Sequence, residues 1–465
     1  MMKLDPVALR WALGTGLATV LLTVCAVTTP GTAIGILAAL GYLCTFALHA
    51  RAFVSVQFAM AAGALMAVPV LRLTAESNSL KLAVPAVVLI TAAAVVIRVR
   101  PRMPVGLVSL LVVFLALDAW ATALVPDPNE WSFWLLSVAV TFAGLVFASA
   151  AAKFDAWSAL AAVLILLTSA EAVLAMFEVR FLHEPIWRGG RILSDGSSAW
   201  IRNELVASIP RAQGTFGHPL PLAFCLILGA ILLVRLRAWN SVLRFLLFLV
   251  LAGGVFVSGS RNAIILFLGL SLLAFILPSF LARMNVVGPL VTVGVILAFP
   301  FLLDKFDELA GSGSVDHRLG ALSAVPNLMS ESRSFTSVLI GDGSAASPRL
   351  YSQGLLQTDG FAAVDNQYVL TLAQNGFIGL LILIIVLMVA FLRGSATVRL
   401  LLIAVAASGM IFDIFAWPAA GFLVWFVVAA AWARVPDHAP ASKKQAAALT
   451  ESSRDQRRVL AQPVR

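Results

Sequence analysis

Apolar runs of about twenty residues, each long enough to cross roughly 30 Å of hydrocarbon, recur along nearly the whole chain and are parted by short polar breaks. They predict fourteen helices, at roughly 9–28, 31–49, 52–71, 80–97, 104–125, 131–152, 156–177, 219–234, 241–257, 262–282, 285–303, 366–392, 398–413 and 415–433. Helices are expected because in lipid every backbone polar group must be satisfied inside its own segment. A spanning barrel would show alternating segments of about ten residues, and the chain has no such pattern. Two polar stretches interrupt the rhythm, at about 178–218 and 304–365. The second, with its flanks from Phe301 to Gly376, is the longest polar region. Any chemistry on a polar substrate is expected to draw on it and on its few polar neighbours.

Composition sharpens the picture. Of 465 residues, 61% are hydrophobic and 12% charged, against about 25% charged in a soluble domain. Mean hydropathy is +0.97. The fold class expected is an all-α polytopic membrane protein of twelve to fourteen helices, a single membrane domain over 1–433. The net charge of +9 reads as topology signal rather than nucleic-acid affinity, because basic residues collect at cytoplasmic helix ends. With the N-terminus inside, the inner segments hold Lys3, Arg10, Arg51, Arg98, Arg100, Arg102, Lys153, Arg235, Arg237, Arg244, Arg283, Arg393, Arg399 and seven more from Arg434 onward, 20 of the 32 basic residues. Both termini are then cytoplasmic and both long loops outside. The basic stretch 434–465, rich in Ala, Ser and Gln, is expected to be a disordered cytoplasmic tail. The first apolar run is read as a retained helix rather than a cleaved signal, since no small-residue cleavage site follows it. Cys25, Cys44 and Cys225 lie inside apolar runs without disulfide or metal spacing.

Four polar clusters fall on the expected outer side. The first is Arg211-Ala-Gln-Gly-Thr-Phe-Gly-His218-Pro219. Gly214 and Gly217 permit close backbone approach, the following helix N-terminus suits an anion, and Arg211 suits phosphate oxygens. A plain re-entry turn accounts for the same residues. The second is Ser258-Gly259-Ser260-Arg261, where an arginine at an outer helix end runs against the inside bias. It is either functional or snorkelling. The third is His317-Arg318, behind Asp316, with Gly341-Asp342-Gly343 further on. The fourth is Asp365-Asn366-Gln367-Tyr368 leading to Gln374-Asn375-Gly376. Here Asp365 and Asn366 are candidate helix caps, and Asp365 is equally a candidate general base. No phosphate-binding Gly-Lys-Ser/Thr motif and no zinc ligand cluster is present. Asp118, Glu171 and Asp413 lie within spans and offer a proton path for a transporter as an alternative.

In order, Arg211…Gly-Thr-Phe-Gly-His-Pro219, Ser-Gly-Ser-Arg261, His-Arg318…Gly-Asp-Gly343 and Asp365-Asn-Gln-Tyr-Val…Gln-Asn-Gly-Phe-Ile-Gly379 resemble the O-antigen ligase and O-antigen polymerase superfamily over about residues 205–390. The resemblance implies a GT-C-like glycosyltransferase of the bacterial plasma membrane, with a long extracytoplasmic loop carrying short helices. It implies an undecaprenyl-diphosphate-linked glycan as substrate, inversion at the sugar, no metal and no other cofactor. A flippase and a chain-length regulator of the same pathway are the partners it suggests. Carried over by position, Arg211, Arg261 and Arg318 handle the diphosphate with His218, and Asp365 activates the acceptor. Gly214, Gly217, Ser260, His317, Asn366 and Tyr368 support them. Ligases of the superfamily usually place His before the Asn of the fourth motif, whereas this chain has Asp365 and also Gln374 at an often acidic position. Polymerisation of repeat units is therefore expected, with ligase-type transfer to a lipid or protein as the alternative.

Overall fold

The computed structural model describes residues 41–69, 78–123, 128–187, 203, 206, 208–235, 239–276, 320–330, 333–343, 346–356 and 364–435. The expected spans 9–28 and 285–303, most of 31–49, the tail beyond Val435, and His317 and Arg318 lie outside the described residues. Among those described, regular structure is helical throughout. The order is α1 (Ala50–Ala67), α2 (Asn78–Val99), α3 (Val105–Ala123), α4 (Pro128–Phe154), α5 (Trp157–Phe177), α6 (Pro219–Arg235), α7 (Ser241–Ser258) and α8 (Arg261–Ile276). Three short helices of the long loop follow: α9 (Val325–Leu328), α10 (Phe335–Ile340) and α11 (Ala346–Ser352). Then come α12 (Gln367–Arg393), α13 (Ala396–Gly409) and α14 (Pro418–Trp432). Six segments are long and apolar enough to cross a membrane, and five further apolar helices are shorter.

Local chemistry sets the boundaries. Asn240 caps α7 by accepting the Leu243 amide at 2.7 Å, and Gly259, at φ 68, ends that helix. The core is built on close approach. At Gly144 of α4 a β-carbon would stand 2.8 Å from the Phe426 nitrogen of α14, so only a bare backbone lets the two helices meet. Small residues serve membrane helix interfaces in this way, because packing rather than solvent exclusion drives association. Phe58 of α1 fills the neighbouring space, its ring 5.5 Å from Phe147 and 4.9 Å from Phe426. Elsewhere apolar side chains face outward: Val112 and Val113 on α3, and Phe245, Leu246 and Leu249 on α7, are exposed. Such surface suits lipid, and the protein is membrane-embedded.

One end of the bundle gathers basic side chains on helix C-terminal carbonyls, where cations meet the negative end of the dipole. Lys153 donates to Val99 O at 2.6 Å, Arg244 to Val234 O at 3.0 Å, and Arg399 to Phe391 O at 3.0 Å. Arg235 reaches Thr397 at 3.1 Å, and Arg393 lies 4.8 Å over the Trp432 ring. These residues belong to the set that the sequence assigned to one side.

The fourth cluster departs from expectation. The run 366–392 reads as one continuous span, but α12 breaks at Gly376, whose φ of 66° and ψ of −169° are not helical. The long loop packs against the break, where a β-carbon on Gly376 would fall 2.5 Å from Gly341 N.

Candidate functional site

The first two clusters form one unit. The Ala212 amide donates to Val257 O at 2.8 Å, and Arg211 Nε donates to Ser258 O at 3.0 Å. The guanidinium thus sits on the C-terminal carbonyls of α7. Ser260 Oγ accepts the Ala263 amide at 3.4 Å and opens α8, with Arg261 half-buried as its first residue. Arg211 and Ser258–Arg261, 47 residues apart at their bonded positions, therefore share one end of the bundle.

The glycine turn that follows Arg211 is held by two buried carboxylates of the preceding helical segment. Glu178 Oε2 accepts the Gly214 amide at 2.6 Å and the Gln213 amide at 3.2 Å. Glu171 accepts the Thr215 amide at 3.2 Å and its hydroxyl at 2.7 Å. The neighbour that Gly214 admits is Glu171, whose Oε2 would lie 3.1 Å from a β-carbon there. Glu171, expected as a candidate proton carrier, is engaged in positioning this turn. Glu178 escaped the sequence reading, although its spacing of two helical turns from Glu171 carried the signal. Gly217 ends the turn at φ 69. His218 Nδ1 accepts the Leu220 amide at 3.3 Å, and its ring stacks on Trp417 at 5.1 Å. Trp417 in turn donates to Asp413 at 3.2 Å. The first turn of α6 thus has one amide taken by His218.

At the start of α12, Asn366 Oδ1 accepts the Tyr368 and Val369 amides at 3.0 and 3.1 Å. The cap therefore rests on Asn366, and half-buried Asp365 precedes it. Tyr368 donates to Ala406 O at 3.0 Å and ties α12 to α13. Asn366→Ala is expected to cost about 1 kcal/mol of stability by losing the cap. Thermal unfolding of the variant in detergent checks this; wild-type stability would mean that Asn366 does not cap α12.

The third and fourth clusters also meet. The Asp342 amide donates to Ala373 O at 3.1 Å and the Gly343 amide to Gln374 O at 3.0 Å. Gly341 and Gly376 are in backbone contact, with a β-carbon on Gly376 falling 2.5 Å from Gly341 N. The Asp342 carboxylate pairs with buried Arg333 and, at 3.6 Å, with more exposed Arg349. Arg333 also donates to Leu328 O at 2.6 Å. Neither arginine stood out in the sequence, since nothing periodic links them to Asp342. Beside the break lies a cavity of about 360 Å³, lined by Asp118, Gln374 and Asn375 and by Phe415 and Trp425, among others. Asp118, expected with Glu171 and Asp413 as a candidate proton path, is part of the wall of that cavity.

The described residues thus bring Arg211 to Ser258–Arg261, His218 to Trp417, and Gly341–Gly343 to Gln374–Gly376. Among them, no cluster of three or more His, Cys, Asp or Glu has metal-holding geometry. Neither the known protein families nor the curated proteins include a match to this chain.

Proposed function

We propose that the chain is a glycosyltransferase that polymerises undecaprenyl-diphosphate-linked oligosaccharide repeats into a surface or exported polysaccharide. It works at the outer face of the bacterial plasma membrane, with both termini in the cytoplasm. The observation that carries this proposal is the union of Arg211 with Ser258–Arg261. Arg211 bonds Ser258 at the end of α7, and Arg261 opens α8 three residues later. A diphosphate leaving group gains charge as the glycosidic bond breaks. Fixed guanidinium groups in a partly dry site stabilise that charge where it develops. The resemblance gives Arg318 the same role. Asp365 takes the proton of the acceptor hydroxyl. The acceptor oxygen bonds the anomeric carbon from the face opposite the diphosphate, the bond to the diphosphate breaks, and undecaprenyl diphosphate leaves. The configuration inverts.

Purified protein supplied with a lipid-linked repeat unit is expected to give a ladder of glycan lengths on a gel. Transfer in one step to an added lipid or protein acceptor would instead indicate a ligase. Passage of labelled lipid across a vesicle bilayer with neither product would make the chain a transporter. Arg211→Ala is expected to lower the rate by roughly two orders of magnitude, the effect of losing one charge-stabilising donor worth about 3 kcal/mol. Wild-type rates in that variant would remove the diphosphate site.

A further inference from the structure

The cavity at the break in α12 is set apart from the arginine cluster by its chemistry. Among the described residues its lining holds no Lys, Arg or His. Its polar groups are one carboxylate, Asp118, together with the hydroxyls of Ser137, Thr141 and Ser347 and the amides of Gln367, Gln374 and Asn375. Asp118 and Asn375 are buried, at 8% and 5% exposure. Asn375 Nδ2 has no hydrogen-bond partner among the described residues. A buried amide donor left unpaired costs about 1–3 kcal/mol, so a site that keeps one is built for something that accepts from it. Phe415 and Trp425 stack in parallel, with centroids 5.1 Å apart, and give the cavity an aromatic wall. At about 360 Å³ it lies at the small end of the ligand sites that proteins form, about 300–1,000 Å³.

We infer that this cavity binds one neutral sugar ring of the glycan, with Asn375 and Asp118 hydrogen-bonding its hydroxyls and the aromatic wall against its apolar face. Charge selects the occupant. Asp118 repels a phosphate, so the diphosphate belongs with the arginines and the uncharged ring belongs here. Mixed donors and acceptors on one wall and aromatic carbon on another match a polyhydroxylated ring, which is polar at its edge and apolar on its faces. The break in α12 creates the site, because Asn375 immediately precedes Gly376 and its orientation depends on the chain turning there. The inference rests on the glycosyltransferase reading for the role of the sugar, but binding alone tests it.

The full chain in lipid nanodiscs is mixed with methyl glycosides of glucose, galactose, mannose and N-acetylglucosamine, and saturation-transfer NMR is recorded. At least one glycoside is expected to receive saturation. Asn375→Ala and the isosteric Asn375→Asp, which keeps the shape and loses the Nδ2 donor, should each reduce it at least fivefold, while Arg211→Ala leaves it unchanged. Two variants of different size guard against a folding defect, and an unchanged thermal transition in Asn375→Asp completes the control. Absence of saturation for every glycoside, or equal saturation in wild type and Asn375→Asp, overturns the sugar site. Preferential saturation of tetramethylammonium over all glycosides overturns it in favour of a cation site. A failed polymerisation assay with glycoside binding intact would instead count against the glycosyltransferase alone.

Discussion

Gly341→Ala is expected to detach the long loop from the membrane helices. Gly341 has φ 83 and ψ −172, a region that residues with a β-carbon occupy only under strain of about 1–3 kcal/mol. Strain is the smaller part. A β-carbon at Gly341 would overlap the carbonyl of Gln374 and fall 2.5 Å from Asn375 N. The atoms it meets are backbone, held on both sides by the amides of Asp342 and Gly343, so no side chain can swing away. The combined cost is on the order of 4 kcal/mol, in the tail that single substitutions reach only through such defects. Because the contact is local, the loss should appear first as local opening. Limited proteolysis is expected to cut the segment 320–356 many times faster in the variant, with the membrane helices intact. Wild-type cleavage rates would mean that the glycine contact does not hold the loop.

Arg333→Ala should have the next largest effect. The guanidinium and the Asp342 carboxylate are both buried, with 4% and 9% of their side chains exposed. Removing one partner of such a pair leaves an uncompensated charge and costs about 3–5 kcal/mol. Arg333 also satisfies Leu328 O and Ser337 O, so its loss opens the turn on two sides. Arg349 is the internal control. Its side chain is 46% exposed and its nitrogen stands 3.6 Å from the same carboxylate. Solvent screening limits an exposed pair of this kind to about 1 kcal/mol or less. Protease sensitivity of the loop should therefore rise sharply in Arg333→Ala and little in Arg349→Ala. Equal sensitivity in the two would dissolve the distinction between the buried and exposed partners. The double variant Arg333→Ala/Asp342→Ala should recover part of the loss, since it removes the stranded charge.

Hydropathy made the helical class plain. The helices from α1 to α8 begin and end within a few residues of the expected spans where they are described, because apolar runs in lipid have no alternative to helix. Arg211 and Arg261 stood out in the sequence as cations on the expected outer side, and the bond from Arg211 to Ser258 brings the first to the segment that carries the second. Three features were illegible for physical reasons. The break at Gly376 sits in an apolar run whose hydropathy is the same whether the helix turns or not. Arg333 pairs with Asp342 through a fold of the loop, which no helical or strand period reports. The sugar-sized cavity draws its lining from α3, α4, α11, α12, α14 and the connection between α13 and α14, so it exists only once those elements meet. Asn366 and Asp365 were interchangeable as caps in the sequence; the hydrogen bonds assign the cap to Asn366.

The docking of Gly341–Gly343 on the broken helix also bears on how the chain is made. The loop precedes α12 in sequence, and its amides satisfy carbonyls within the first ten residues of that helix. In hydrocarbon each unsatisfied carbonyl costs several kcal/mol, so α12 cannot take its broken form alone. A ribosome that has just delivered α12 to the membrane has already delivered the loop to the same side. Synthesis in the opposite order, as in a circular permutant that begins at α12, would leave the helix to insert unbroken and would require it to be bent afterwards. Such a permutant is therefore expected to form the broken helix more slowly than the native chain order does.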